Sequence, residues 1–175
     1  MLFLSCKDDA IDFDYDPGAI HYDGVNANAP FLPAGTTEAA ARFPHDVLKR
    51  YEGKQIEAVD LYIYDIPASA TLIFYGSGSS KKPGSSLFEA EITNEMGVSR
   101  WNTVTLDPPF QVPANGDLWI ALRVMNAEAI QVIGCDAGPN KEGGDWLYQS
   151  DDGQWRTFRD RSTDNINWNI RATVF

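Results

Sequence analysis

Residues 98–124 constrain the fold more than any other stretch of this chain. They hold two runs of strand-forming residues on either side of a segment that neither a helix nor a central strand can accommodate. In the second run Leu118, Ile120, Leu122 and Val124 alternate with Trp119, Ala121 and Arg123. That period of two marks a strand with one buried face. In the first run Val104 and Leu106 alternate with Thr103 and Thr105, and β-branched side chains suit a pleated surface. Pro108, Pro109 and Pro113 between them have no N–H to give to a ladder, so the chain there must follow a sheet edge or cross from one sheet to another. Asn115-Gly116 supplies the turn into the second run. The stretch predicts a β-sandwich.

The rest of the chain extends that reading. Strands are expected at 19–22, 55–64, 70–75, 86–92 and 129–135, and 37–43 fits strand or helix by period. Pro44 can open a short helix near 44–52, where its missing donor costs nothing; Val47, Leu48 and Tyr51 form its inner stripe and Gly53 ends it. Strands 55–64 and 70–75 read as a hairpin across Pro67-Ala68-Ser69. Residues 76–86 are a polar surface loop whose Ser77-Gly78-Ser79-Ser80-Lys81-Lys82 lacks phosphate-loop spacing and runs into Pro83. A second hairpin joins 146–149 to 155–158 across Asp151-Asp152-Gly153, since Asp-Gly favours tight hairpin turns. Ile166, Trp168, Ile170, Ala172 and Val174 alternate through the closing strand. Short strands at regular spacing with one small helix predict an all-β fold, a two-sheet antiparallel sandwich of the jelly-roll kind.

The chain has 175 residues and a net charge of -11. An acidic surface repels phosphate, so nucleic acid is not an expected partner. Two cysteines are too few for a disulfide scaffold. Cys6 follows Phe3-Leu4-Ser5 and precedes Lys7-Asp8-Asp9. An apolar run ending in a small residue before cysteine is like the lipidation signal of bacterial lipoproteins, and a lysine with acidic residues behind it is like the signal for outer-membrane surface display. The expectation is a signal remnant and lipidation site at 1–6, an acidic tether at 7–18 and the sandwich at 19–175. Lipid on Cys6 would be the sole membrane contact.

Little in the sequence promises chemistry. His21 and His45 have no serine or cysteine motif beside them, and Glu89 and Glu91 alternate along the wet face of a strand. No pairing of cysteine and histidine suits a metal, and no cofactor motif is present. Asp12, Asp14 and Asp16 have calcium-loop spacing, but Pro17 stands where glycine is required and Asp23 where glutamate is usual. Cys135 reads as a small buried thiol. Trp146, Tyr148 and Trp155 are different. They lie in a loop-rich region with Asp145, Asp151 and Asp152, and aromatic platforms beside carboxylates are how sandwich modules hold sugars or peptides.

Several strings resemble a known family. Trp101-Asn102-Thr103-Val104-Thr105-Leu106, Leu118-Trp119-Ile120, Gly134-Cys135-Asp136-Ala137-Gly138-Pro139 and Trp168-Asn169-Ile170 are similar to the jelly-roll, adhesin-like accessory domains of surface proteins from Gram-negative anaerobes, of the type that accompanies gingipain peptidases. The resemblance implies a non-catalytic, surface-exposed module that binds a glycan or an extracellular protein. It also admits a structural subunit of a surface or fimbria-like assembly and, least favoured, a hydrolase with an unrecognised site.

Overall fold

The computed structural model describes residues 13–175. Cys6 and the first half of the expected tether lie outside the described residues. The chain forms a two-sheet antiparallel sandwich. One sheet has four strands in the order β1 (Ala19–His21), β12 (Ile170–Val174), β4 (Gln55–Ile63) and β7 (Arg100–Gln111). The other has six, in the order β11 (Gln154–Thr157), β10 (Trp146–Gln149), β3 (Gly35–Phe43), β8 (Leu118–Asn126), β5 (Ser69–Tyr75) and β6 (Ser86–Glu91). A short pair, β2 (Phe31–Leu32) with β9 (Ile130–Gln131), closes one end. Among the described residues no helix is long and apolar enough to cross a membrane.

The alternating residues build one core between the sheets. Val59, Leu61 and Ile63 of β4 and Ile170 and Ala172 of β12 face Phe43, Leu72, Phe74, Ile120 and Leu122 of the six-stranded sheet, all essentially inaccessible to solvent. Phe110 of β7 meets Phe74 of β5 edge to face across the core, with ring centroids 4.9 Å apart. The prolines fall where they must. Strand β7 is an edge, and its pairing with β4 jumps from Ala58↔Thr105 to Ile56↔Phe110, so Asp107-Pro108-Pro109 bulge out with no ladder to supply. After Gln111 the chain crosses to the other sheet and becomes β8. Helix α1 (His45–Leu48) and the 3-10 turn after it bury Val47, Leu48 and Tyr51 as expected.

Four expectations need correction. Strands β4 and β5 are not a hairpin: β4 pairs with β12 and β7, while β5 pairs with β6 and β8, so the turn between them carries the chain from one sheet to the other. The strand at 129–135 is only Ile130–Gln131, followed by isolated bridges from Ile133 to Ile63 and from Cys135 to Asn28 and Trp168. Strand β8 is not half-wet: Trp119 and Ala121, on its outer face, are as buried as Ile120 and Leu122. The later part of the 7–18 segment is packed rather than free. Phe13 is buried against Tyr22 and Tyr51, and the Tyr51 hydroxyl donates to the Asp16 and Ala19 carbonyls.

Cys135 is the one free cysteine among the described residues, and it is 1% exposed. Burial, with the Asp136 carboxylate nearby, pushes its thiol up to about 12. A neutral, enclosed thiol neither pairs nor reacts. Reductant should leave the melting temperature unchanged, and iodoacetamide should modify Cys135 only after denaturation, as read by peptide mass. Rapid modification of the folded protein at Cys135 would contradict the burial.

Candidate functional site: the outer face of the six-stranded sheet

Period two places Trp146 and Tyr148 of β10, and Trp155 and Thr157 of β11, on the outer face. The hairpin register sets Trp146 opposite Thr157 and Tyr148 opposite Trp155. Its turn is self-supporting. Gly153, at φ +63°, takes the left-handed conformation that favours glycine, and its N–H donates to the Gln149 carbonyl. Asp152 accepts two bonds from the Arg161 guanidinium at 3.0 and 3.1 Å, which holds its carboxyl below the usual range. Asp151 and Asp152 therefore serve the turn.

Strand β10 docks on β3, with Trp146 beside Ala40 and Tyr148 beside Glu38, and β3 docks on β8, with Ala40 beside Ala121. The two alanines leave room on the sheet. Trp119 fills it and is fully buried, although it lies outside the main core. Trp146 covers it at 5.1 Å between ring centroids and Trp155 at 5.7 Å; Trp155 also meets Tyr148 at 5.7 Å and Tyr75 at 6.5 Å. The three predicted residues are thus brought together, each half-buried, as walls over a floor made by Trp119.

Beneath this layer lies a charged network with no signal in local sequence. Tyr75 donates to Glu38 at 2.6 Å, and Arg123 donates to Glu38 at 2.9 Å and to the Tyr75 oxygen at 2.8 Å. Burial, then the bond to the Glu38 carboxylate, raises the Tyr75 phenol well above its ordinary value. Each member answers another, so the network stiffens the face.

Two clefts open on either side of the aromatic cluster. One, of about 550 Å³, sets Trp146 among Glu142, Asp145, Arg159 and Asp160. Asp145 is buried there, which raises its carboxyl, and it accepts the Arg159 backbone N–H at 3.1 Å. The other, of about 410 Å³, sets Trp155 and Gln154 against Ser79, Lys81 and Lys82 of the 76–86 loop. Of the histidines, His21 is tied through Nδ1 to Asp23 and His45 opens α1, far in sequence from either cleft. Among the described residues no three histidine, cysteine, aspartate or glutamate side chains group as metal ligands.

No known family model matches the chain, and neither does any curated protein. Solved structures of the clostridial cysteine protease Cwp84 are similar in fold. The enzyme after propeptide cleavage superposes with a TM-score of 0.60 at 13% identity, over 91% of this chain and 41% of that one. The cysteine protease and lectin-like domains of Cwp84, described as a surface-layer-associated protein of Clostridium difficile, superpose with a TM-score of 0.59 at 12% identity, over 81% of this chain and 32% of that one. The chain spans less than half the length of either. At such identities the likeness concerns the fold, and the all-β sandwich is what the chains share.

Proposed function

We propose that this chain is a non-catalytic, cell-surface binding module whose outer aromatic face holds a glycan. The observation that carries the reading is the Trp146, Tyr148 and Trp155 layer, half-exposed, preorganised on the buried Trp119 and flanked by two polar clefts. Sugar rings present apolar C–H faces to aromatic planes and hydroxyls to carboxylates and amides, and this face offers both. The fold shared with a surface-layer-associated chain that contains a lectin-like domain supports the same reading. So does the enclosure of Cys135, whose buried thiol is held neutral.

The test is a glycan array probed with the full chain, followed by titration of Trp155→Ala against the strongest hit. Losing one stacking wall should weaken binding by about 1–3 kcal/mol, roughly 5- to 150-fold. An array without hits would remove the glycan reading; hits bound equally well by Trp155→Ala would move the site elsewhere.

The finer placement, a lipid on Cys6 and an outward-facing position on the outer membrane, rests on the Leu4-Ser5-Cys6-Lys7-Asp8-Asp9 string. Expressed from its native locus and fed a palmitate analogue, the protein should become labelled and the Cys6→Ala variant should not. Equal labelling of the two would end the idea.

A further inference from the structure

We propose that the cleft between Trp155 and the 76–86 loop is a subsite for an acidic sugar, one bearing a carboxylate or a sulfate; this rests on the glycan-binding reading above. The cleft is lined by one aromatic ring, two ammonium groups, a hydroxyl and an amide, from Trp155, Lys81, Lys82, Ser79 and Gln154, and no carboxylate lines it. In a chain with a net charge of -11 that is a local reversal of sign. Lys81 and Lys82 are exposed, and neither forms an ion pair among the described residues. Of the two carboxylates on the facing turn, Asp151 accepts the Asp152 N–H at 2.8 Å and Asp152 is paired with Arg161 at 3.0 Å.

The loop that presents the lysines is held in shape. Gly76 donates to the Ser85 carbonyl at 3.0 Å, Ser79 to the Lys82 carbonyl at 2.9 Å and Gly84 to the Gly76 carbonyl at 3.0 Å. The Asp117 N–H donates to the Ser77 hydroxyl at 2.6 Å, which ties the loop to the turn before β8. Gly78 and Gly84 let the two limbs approach so closely that a Cβ on either would strike backbone. Two cations lining one cleft with an aromatic ring match a sugar whose apolar face stacks and whose anionic substituent reaches outward. The cleft at Trp146 has the opposite character, with Glu142, Asp145 and Asp160 facing Arg159 alone, and suits hydroxyl groups. The two ends of one face therefore accept different sugar chemistry, which fixes the direction in which a chain lies.

The experiment pairs charged polymers with neutral counterparts: polygalacturonate with its methyl ester, and dextran sulfate with dextran. Binding is measured for the wild type, Lys81→Gln/Lys82→Gln and Trp155→Ala at about 0.05 M and about 0.5 M NaCl, with polyglutamate as a charge-only control. The wild type should prefer at least one charged polymer to its neutral counterpart by about tenfold or more at low salt. That preference should vanish in Lys81→Gln/Lys82→Gln, and Trp155→Ala should weaken charged and neutral members alike. Both lysines are exposed, so the double variant should fold as the wild type does. Equal binding of charged and neutral members, or a double variant that keeps the preference, would overturn the acidic subsite and leave the glycan reading standing. Binding of polyglutamate as tight as the sugar polymers would also overturn it. Failure of every polymer, together with an array without hits, would remove both readings.

Discussion

Trp119→Ala should destabilise the domain by about 3–5 kcal/mol, the usual cost of emptying a buried tryptophan site, and lower the melting temperature by about 10–15 °C. The ring is fully buried although it lies on the sheet face that points away from the main core. Its neighbours Ala40 and Ala121 are too small to close the gap, and Trp146 and Trp155 rest on it at 5.1 and 5.7 Å between centroids. Trp119→Phe should cost far less, about 1–2 kcal/mol, because the indole Nε1–H has no acceptor among the described residues and its loss leaves nothing unpaired. Trp155→Ala should also stay near 1–2 kcal/mol, since that ring keeps one side in solvent. Urea unfolding of the three variants gives the comparison. The ordering separates floor from walls: if Trp155→Ala costs as much as Trp119→Ala, the walls are core and the proposed site loses its residues.

That layer also shows where sequence pattern stops informing. Alternation in residues 118–124 identifies a strand and tells which side chains share a face, and both inferences hold in β8. It marks a strand with one buried face and leaves the Trp119, Ala121 and Arg123 face without a partner. In the fold Arg123 finds Glu38 and Tyr75, residues 85 and 48 positions away, and the β10–β11 hairpin covers Trp119 from outside. The hairpin itself was legible, because Asp-Gly turn chemistry is local. The pairing of that hairpin with β3 was not, since it joins Trp146 to Ala40 across the length of the chain. The false hairpin of β4 and β5 has the same origin. Two alternating runs across a proline turn look alike whether the second run pairs with the first or crosses to the other sheet, and only the facing surfaces decide. Lys81 and Lys82 were read as solvent-facing loop residues. What makes them part of a cleft is the approach of Trp155, more than seventy residues further on.

Asp23→Ala should be nearly as damaging as the loss of Trp119, for an electrostatic reason. The Asp23 side chain has no solvent exposure. Asn169 Nδ2 donates to it at 2.6 Å, Arg171 Nε at 3.0 and 3.1 Å, and His21 Nδ1 lies 3.1 Å away. It thereby ties the chain leaving β1 to β12, the first strand of its sheet to the last in sequence. Arg171 is about one-third exposed and stacks on Trp101 with its guanidinium carbon 4.4 Å from the ring centroid, so it can regain water when its partner goes, and its share of the loss is small. Asn169 cannot. It is fully buried, its Oδ1 already lacks a partner among the described residues, and without Asp23 its Nδ2 loses its acceptor too. Stranding that amide and emptying the carboxylate site should cost about 3–4 kcal/mol. Asp23→Asn keeps an acceptor oxygen for one of the two donors and should fall between alanine and the wild type. Arg171→Met leaves the buried Asp23 carboxylate with Asn169 and His21 as its neighbours and should cost about 1–3 kcal/mol. Chemical denaturation of the three variants gives the ranking. An Asp23→Ala domain within about 1 kcal/mol of the wild type would show that water replaces the carboxylate freely, and that the strand closure rests on apolar packing alone.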